Sequence, residues 1–319
     1  MKNARLHKYA LFVAFCTLML VLAGASVTST ESSLSVPDWP LSYGQILPEM
    51  TGGVLFETGH RLVAKMVGFL VIILAIWIQR VDQRAWVRKL GWTALGVVCL
   101  QGLLGGLTVL FLLPKPVSIS HACLAQLFFS LVVTIALVTS PGWRQGVALV
   151  ADAGTPSFRT LAVVTPVAVL VQIALGAGFR HHVLNILPHI FGALVVTSLV
   201  MYTAIAVMAQ FPNHKALKQA ATALLGITSV QVVLGVAAYA SRLASAGSLT
   251  PPTPTIWYTV LHVGVGGLTM AASVVLAIQI RRNVVVAVEV QEQKLAMASV
   301  RVGRSVSPGN SGHCRALRA

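Results

Sequence analysis

Eight apolar runs of about 20 residues, each long enough to cross the ~30 Å hydrocarbon layer of a bilayer, constrain this chain most. Hydrophobic residues make up 56% of its 319 residues and charged residues only 10%, far from the balance of a soluble domain. A lipid-facing backbone must satisfy its own hydrogen bonds, so the runs predict helices. The expected spans are residues 9–29, 58–80, 90–112, 117–139, 159–179, 184–208, 216–240 and 256–281. The predicted fold class is an all-α integral membrane protein with eight transmembrane helices.

The basic residues predict how this bundle is oriented. Of the 23 Lys and Arg, all but five fall at the ends of the runs that the positive-inside rule places in the cytoplasm, together with both termini. The net charge of +15 therefore reflects topology and contact with membrane lipid, and it does not indicate nucleic-acid binding. The N-terminal run is expected to be a retained helix in a prokaryotic plasma membrane. The five exceptions are Arg61, Lys65, Lys115, Arg180 and Arg242.

A short sequence motif recurs along the chain and predicts an internal repeat. The third, fifth and seventh spans contain a glutamine followed four residues later by a glycine, at Gln101, Gln172 and Gln231, and the first span keeps only the glycine end, at Gly24. The repeating unit is a helical hairpin, and two hairpins make each half. Two similar four-helix bundles are expected at residues 1–140 and 141–281, followed by a cytoplasmic tail at 282–319. The glutamines are candidates for hydrogen bonds between helices.

Four histidines stand near the outer starts of the even-numbered spans. His60 and His121 belong to the first half, and His189 and His262 to the second. An imidazole in a bilayer needs a partner, and four in register favour axial ligands of heme over four hydrogen-bonded interior histidines. No Cys-x-x-Cys-His motif is present, so any heme is expected to be held without thioether bonds. Small residues that follow the histidines would admit either a flat macrocycle or close helix packing: Ala64, Ala125, Gly192, Ala193 and Gly266.

The second span carries charge beside its histidine. Glu57, Arg61 and Lys65 follow one another at four-residue spacing, and Glu57 lies three residues before His60, so all of them share one helix edge. One interpretation is an ion-pair ladder. The other assigns proton transfer to Glu57 and pairing with heme propionates to Arg61 or Lys65. The preceding loop, residues 32–56, is long and contains Trp39 between two prolines, which suits a cover over the first bundle.

These residues resemble a known family. Glu57-Thr58-Gly59-His60-Arg61 is similar to the E-x-x-H-R motif of heme A synthases, and residues 37–44, Pro-Asp-Trp-Pro-Leu-Ser-Tyr-Gly, resemble their first outer loop. The resemblance covers residues 9–281 and implies two similar four-helix bundles. It also implies oxidation of the C8 methyl of heme O to a formyl group, through alcohol and geminal-diol intermediates, giving heme A for terminal oxidases. By this resemblance, His60 and His121 would bind the substrate heme, and His189 and His262 would hold a heme b cofactor.

The chain departs from the family pattern in the first outer loop. Many members carry a cysteine pair there, whereas Ser35 and Ser42 stand at the expected positions. A thiol relay in this loop is therefore excluded, and the way in which the loop handles substrate is left open. Heme O synthase and oxidase assembly factors are candidate partners. The electron donor, the oxygen source and the oligomeric state do not follow from the sequence.

Two other classes of protein remain as alternatives. A diheme b-type electron-transfer cytochrome would carry the same four histidines, but it would return its heme chemically unchanged and would not need Glu57. A transporter would place polar groups near the membrane midplane, whereas here they cluster at the outer ends of the spans. His181 and His182, in the outer loop before the sixth span, are either solvated or in contact with a heme edge.

Overall fold

The protein is a bundle of long helices in a computed structural model that describes residues 2–248 and 250–286. Eight helices of this part of the chain are long and apolar enough to cross a membrane, which confirms the predicted all-α multi-pass membrane fold. They are α1 (Lys2–Ser29), α2 (Gly52–Val81), α3 (Ala85–Leu110), α4 (Lys115–Thr139), α6 (Phe158–Arg180), α7 (Leu187–Gln210), α8 (Lys215–Ala244) and α9 (Thr253–Asn283), with the short α5 (Pro141–Arg144) between the halves.

Several helices are longer than the apolar runs that predicted them. The second helix begins at Gly52 rather than near residue 58, and the last runs over Thr253–Asn283 rather than 256–281. Hydropathy marks only the segment inside the hydrocarbon layer, whereas backbone hydrogen bonding continues into the interface. Consequently Glu57 and His60 lie well inside a helix, one and two turns after its start.

Two hydrophobic clusters hold the bundle together. One is built from α1 to α4 around Leu74, Phe128 and Ile135, and the other from α6 to α9 around Leu217 and Leu224. The last helix also packs against α1 and α4, where Gly264 and Gly267 leave room for neighbouring side chains. The predicted division at residues 140 and 141 and the predicted internal repeat both remain predictions.

Polar contacts show which helix ends lie together. At one end, which we call the histidine end, Lys115 Nζ donates to the carbonyl of His182 at 3.3 Å and Arg180 Nη2 donates to Ser29 Oγ at 3.2 Å. At the opposite end, Arg144 Nη2 lies 3.1 Å from Asp82 Oδ2. The helices therefore alternate in direction, and α2, α4, α7 and α9 all begin at the histidine end.

A small parallel sheet at the opposite end was not predicted. Its strands are β1 (Val150–Asp152) and β2 (Val284–Val286). The predicted tail at 282–319 therefore starts with residues that belong to the fold, since α9 runs to Asn283 and β2 follows it directly. A three-residue strand has too few residues to show an alternating pattern. The rest of that predicted tail, residues 287–319, lies outside the described residues.

Candidate functional site

Each of the four predicted ligand histidines packs against a glycine of the preceding long helix. In the first half, a Cβ atom built on Gly24 would lie 3.0 Å from Cε1 of His60, and one built on Gly105 would lie 3.2 Å from Cε1 of His121. In the second half, the distance is 2.9 Å from Gly176 to His189 and 2.8 Å from Gly235 to His262. At each glycine an added Cβ atom would force the histidine ring to shift, so the backbone of one helix positions the imidazole of the next. The same contact occurs in all four hairpins.

The repeated glutamines bind the same helices together. Gln101 Nε2 donates to the carbonyl of His121 at 2.9 Å, and Gln172 Nε2 donates to the carbonyl of His189 at 2.8 Å. Gln231 contacts His262 through its backbone carbonyl, which lies 3.2 Å from Nδ1. The predicted hydrogen bonds between helices are confirmed. The first hairpin has Leu20 where the others have glutamine.

Two of the small residues that follow the histidines leave space for the side chains of these glutamines. A Cβ atom on Gly192 would overlap Oε1 of Gln172, and a Cβ atom on Gly266 would lie 3.2 Å from Nε2 of Gln231. Close helix packing therefore explains both glycines, and no macrocycle is needed to account for them. This was one of the two explanations that the sequence left open.

The second histidine pair, His189 and His262, has the geometry expected of two ligands to one metal. Their ring centroids lie 6.3 Å apart with the ring planes at 88°. An imidazole nitrogen lies ~2 Å from a bound transition metal, which puts two axial imidazoles roughly 6–6.5 Å apart from centroid to centroid. Gln231 contacts both ring nitrogens of His262, with its backbone carbonyl 3.2 Å from Nδ1 and its side-chain Nε2 3.4 Å from the imidazole Nε2. The spacing of the two rings fits a heme iron with two histidine ligands.

The first histidine pair, His60 and His121, lies close enough for electrostatic interaction between the two rings. In the part of the chain that the structure describes, Nδ1 of each ring is buried and has no hydrogen-bond partner. A buried polar nitrogen without a partner is unfavourable. These rings therefore also fit a ligand in the first bundle.

Glu57 and Arg61 connect the start of α2 to the outer loop. Glu57 is buried, with Oε1 2.7 Å from Arg61 Nη2 and Oε2 accepting the Val36 N–H at 2.9 Å. The same guanidinium donates to the loop carbonyls of Asp38 at 2.7 Å and Leu41 at 2.6 Å. These contacts form a clamp on the loop, and they use both carboxylate oxygens.

The loop between α1 and α2 folds over the histidine end of the first bundle. The indole of Trp39 packs against α3 at Gly106, where a Cβ atom would come within 2.7 Å of the ring, and the neighbouring Gly105 contacts His121. Backbone N–H groups of Gly44 and Tyr43 donate to the Asp38 carboxylate at 2.8 and 2.7 Å and hold its pKa below the ordinary value. Hydrogen bonds within the loop thus hold its conformation, and the loop covers the neighbourhood of the first histidine pair.

The remaining predicted residues lie apart from this clamp. Lys65 is exposed, and within residues 2–248 and 250–286 it makes no ion pair, so the ladder stops at Arg61. Binding of heme propionates by Arg61 or Lys65 stays a prediction. His182 is exposed, whereas His181 is half-buried and lies within electrostatic range of His121.

A cavity of about 880 Å³ opens at the histidine end and was missed by sequence reasoning. It is lined by Arg180 and Arg242, together with Lys115, His181 and Tyr239. These cations were recognised in the sequence only as departures from the positive-inside distribution. Their place at the outer ends of apolar helices was the signal that could have marked them as a site.

Comparisons with known proteins agree with the motif in α2. Residues 49–188 match a family described as cytochrome oxidase assembly protein. The chain is 29% identical over 146 residues to heme A synthase from Alkalihalophilus pseudofirmus, which covers 45% of this chain and 49% of that protein. It is 30% identical over 169 residues to heme A synthase from Symbiobacterium thermophilum, with 51% and 55% covered. The aligned segments therefore span about half the length of these curated relatives.

Proposed function

We propose that this chain belongs to the heme A synthase family, a proposal supported by its similarity to such proteins, and that it oxidises the C8 methyl of heme O to a formyl group and so produces heme A. The observation that carries the proposal is the set of four histidine–glycine contacts, which place two imidazole pairs at one end of a membrane bundle. The neighbouring Glu57–Arg61 clamp adds an ionisable group beside the first pair. Heme O synthase and oxidase assembly factors are the proposed partners.

The two histidine pairs have different roles in this proposal. His60 and His121 bind the substrate heme O beneath the outer loop, and His189 and His262 hold heme b. When bound, heme b supplies one-electron transfer, which no protein side chain provides. Conversion of the methyl to the formyl group is a four-electron oxidation. If water supplies the oxygen, CH3 + H2O gives CHO with release of four protons and four electrons, and an external electron acceptor must take up these electrons.

The residues around the first pair position the substrate and control its protons. The loop carrying Trp39 excludes water from this end, because the indole packs directly on α3 at Gly106. Glu57 accepts or returns protons at its carboxylate, and Arg61 keeps that carboxylate in place. Arg61 and Lys65 are also candidates to bind substrate propionates, although the guanidinium of Arg61 already contacts several carbonyls of the loop.

The test is chemical analysis of the heme that the protein releases. Membranes containing the full-length protein and supplied with heme O should accumulate a formyl heme, identified by mass after extraction, and membranes without the protein should not. Release of unchanged heme alone would instead support a diheme electron-transfer cytochrome, because such a protein needs both histidine pairs but no chemistry at the methyl group.

We further propose that the histidine end faces the outside and that both termini are cytoplasmic. The support for this orientation is the positive-inside rule applied to the charge distribution. The cations at the opposite end include Arg84 and Arg144, which both pair with Asp82.

A further inference from the structure

The cavity at the histidine end lies directly outward from the second histidine pair. Ile186 and Thr259, two of its lining residues, each precede a histidine of that pair by three positions, which is less than one helical turn. Arg180 and Tyr239 each follow, by four positions, a glycine that contacts one of these histidines. Residues of α6, α8 and α9, together with Ile186 just before α7, therefore line the cavity at the level just beyond the predicted iron ligands.

The first bundle contributes less to this cavity. Its lining residues come from the end of α1, the start of α4 and the loops that adjoin them, such as Thr28 and Lys115. Of the described residues that line the cavity, none lies on α2 or α3. A ligand in the cavity is therefore placed to meet a group held by His189 and His262 rather than one held by His60 and His121.

The cavity holds more positive than negative charge, because Glu31 is the one carboxylate among its described lining residues, beside the cations Arg180, Arg242 and Lys115. Arg180 is half-buried, and its guanidinium donates to Ser29 Oγ at 3.2 Å. Among the described residues, no carboxylate comes within ion-pairing distance of it, and Glu31 interacts with it only at longer range. Arg242 lies in electrostatic range of the same group and is held over the Phe179 ring at 5.1 Å. A half-buried guanidinium beside a second one, with no carboxylate in direct contact, is unfavourable, so the site favours an anionic ligand.

The other polar groups of the cavity do not remove this excess. Lys115 adds a third cation, whose Nζ donates to the carbonyl of His182. Burial, with help from the charge of Arg180, lowers the pKa of His181, which disfavours a further positive charge on this ring. The cavity therefore presents guanidinium groups that match carboxylates in geometry as well as in charge.

We infer that Arg180 and Arg242 bind the propionate carboxylates of the heme held by His189 and His262. This inference rests on the proposed function, since it requires heme in the second bundle. The glycines that contact His189 and His262 lie four positions before Arg180 and seven positions before Arg242, so the iron ligands lie about one and about two turns deeper than these arginines. A macrocycle edge that carries its propionates outward would therefore place them in the cavity and leave its apolar edge among the helices.

The first experiment compares heme release and reduction potential in the full-length protein. Arg180→Gln, Arg242→Gln and the double variant should keep the low-spin spectrum, because the axial ligands are unchanged. We expect heme transfer to a scavenging apoprotein to be about tenfold faster or more, which corresponds to about 1.4 kcal/mol. The midpoint potential should become more negative, because the reduced heme loses nearby positive charge. Lys218→Gln removes a cation at the other end of α8, the helix that carries Arg242, and should change neither quantity.

The second experiment tests whether the carboxylates themselves are the partner. Full-length apoprotein is reconstituted with iron protoporphyrin or with its dimethyl ester, in which both propionates are blocked. Esterification should weaken binding to the parent but have little further effect in the double variant, because the interacting groups are then already absent. Additive effects of ester and variant would overturn the inference.

Two other outcomes would also decide the question. Loss of a copurifying anionic phospholipid from the variants, with heme release equal to that of the parent, would assign the cavity to a lipid headgroup and overturn the inference. If His262→Ala retains the low-spin heme, the heme assignment in the proposed function fails first. If His262→Ala loses the heme and Arg180→Gln behaves like Lys218→Gln, only the propionate inference fails.

Discussion

The Glu57 carboxylate and the Arg61 guanidinium lie 2.7 Å apart on adjacent turns of α2, and both also bind the backbone of the outer loop. The pair therefore joins a helix that carries a predicted heme ligand to the segment that covers it. A buried pair of this kind is strongly destabilised when one partner is removed. Its role in chemistry must therefore be separated experimentally from its role in holding the loop.

Glu57→Gln should abolish heme A formation while heme b and the fold are retained. The amide has nearly the same size as the carboxylate and removes only the ionisable group, so a role in proton transfer predicts a loss of about 10²–10⁴-fold. The measurement is the ratio of heme A to heme O in extracted hemes, and heme O or the alcohol should accumulate. Arg61→Gln is the comparison, because it breaks the clamp from the other side.

Proteolysis of residues 32–51 reports the clamp independently. If Glu57 acts only as part of the clamp, both variants will lose activity equally and expose the loop equally. Heme A formation by Glu57→Gln at the parent rate would rule out the catalytic role.

Substitution of the second histidine pair should remove the cofactor. His189→Ala or His262→Ala leaves one axial ligand in an apolar site, so the low-spin heme b spectrum of the purified protein should be lost. His60→Ala or His121→Ala should spare much of that spectrum and stop heme O conversion. Full retention of the low-spin spectrum in both second-pair variants would reject the ligand assignment.

The glycine contacts can be tested within a single helix. Gly235→Ala places a Cβ atom 2.8 Å from His262 Cε1, and the ring must move to accommodate it. We expect about 1–3 kcal/mol of overpacking strain and weaker heme b retention. Gly226→Ala, also in α8, has no atom within 4 Å of the added carbon and should be neutral or slightly stabilising. Equal heme retention in the two variants would contradict a positioning role for Gly235.

Asp82 should make stability depend on pH at the end of the bundle opposite the histidines. It lies just beyond α2 and is buried. Burial opposes its ionisation, but contacts from Arg84 at 2.6 Å and Arg144 at 3.1 Å outweigh this effect and lower its pKa. Its stabilising contribution is therefore complete above about pH 4, the range of an unfolded Asp, and is lost as the pH falls through the lowered folded value.

Thermal unfolding in detergent of the parent and Asp82→Asn measures this contribution. Since both arginines are partly exposed, we expect a loss of about 1–2 kcal/mol at pH 7. The difference between the two proteins should shrink in acid. A difference that does not change between pH 7 and pH 3 would show that ionisation of Asp82 contributes nothing to stability.

Labelling of single cysteines tests the proposed orientation. Cysteine at Ser42, Lys115, His182 or Ser248 should react with an impermeant reagent in intact cells, and cysteine at Arg84, Arg144 or Lys215 should react only after permeabilisation. A cysteine at Arg304 should behave like the second group. The reverse pattern would invert the orientation, and an odd number of crossings between Lys115 and Ser248 would contradict the two-bundle arrangement.

Periodicity and hydropathy were sufficient to predict the eight helices, because each helix crosses lipid as a unit with its own hydrogen bonds. Spacing also predicted the histidine set and the glutamine contacts, since the glutamines and histidines recur at matched helix positions. The clamp was predicted only in part. Helical spacing predicted that Glu57 and Arg61 lie on one helix edge. The contacts of both residues with the loop backbone could not be predicted, because they depend on how the loop folds. The cavity around Arg180 escaped prediction because its walls come from separate helices and loops.

The loops that join each glycine to its histidine differ greatly in length, from the short segment after Gly176 to the long one after Gly24, yet the contact is the same in every hairpin. Helix register alone therefore fixes where each imidazole sits. Insertions in the helices and insertions in the loops therefore have different effects. A residue inserted within a helix turns the imidazole away from its glycine by roughly 100°, whereas residues inserted in a connecting loop leave it in place. Changes in the loops of this architecture can therefore accumulate without displacing the four histidines beneath them.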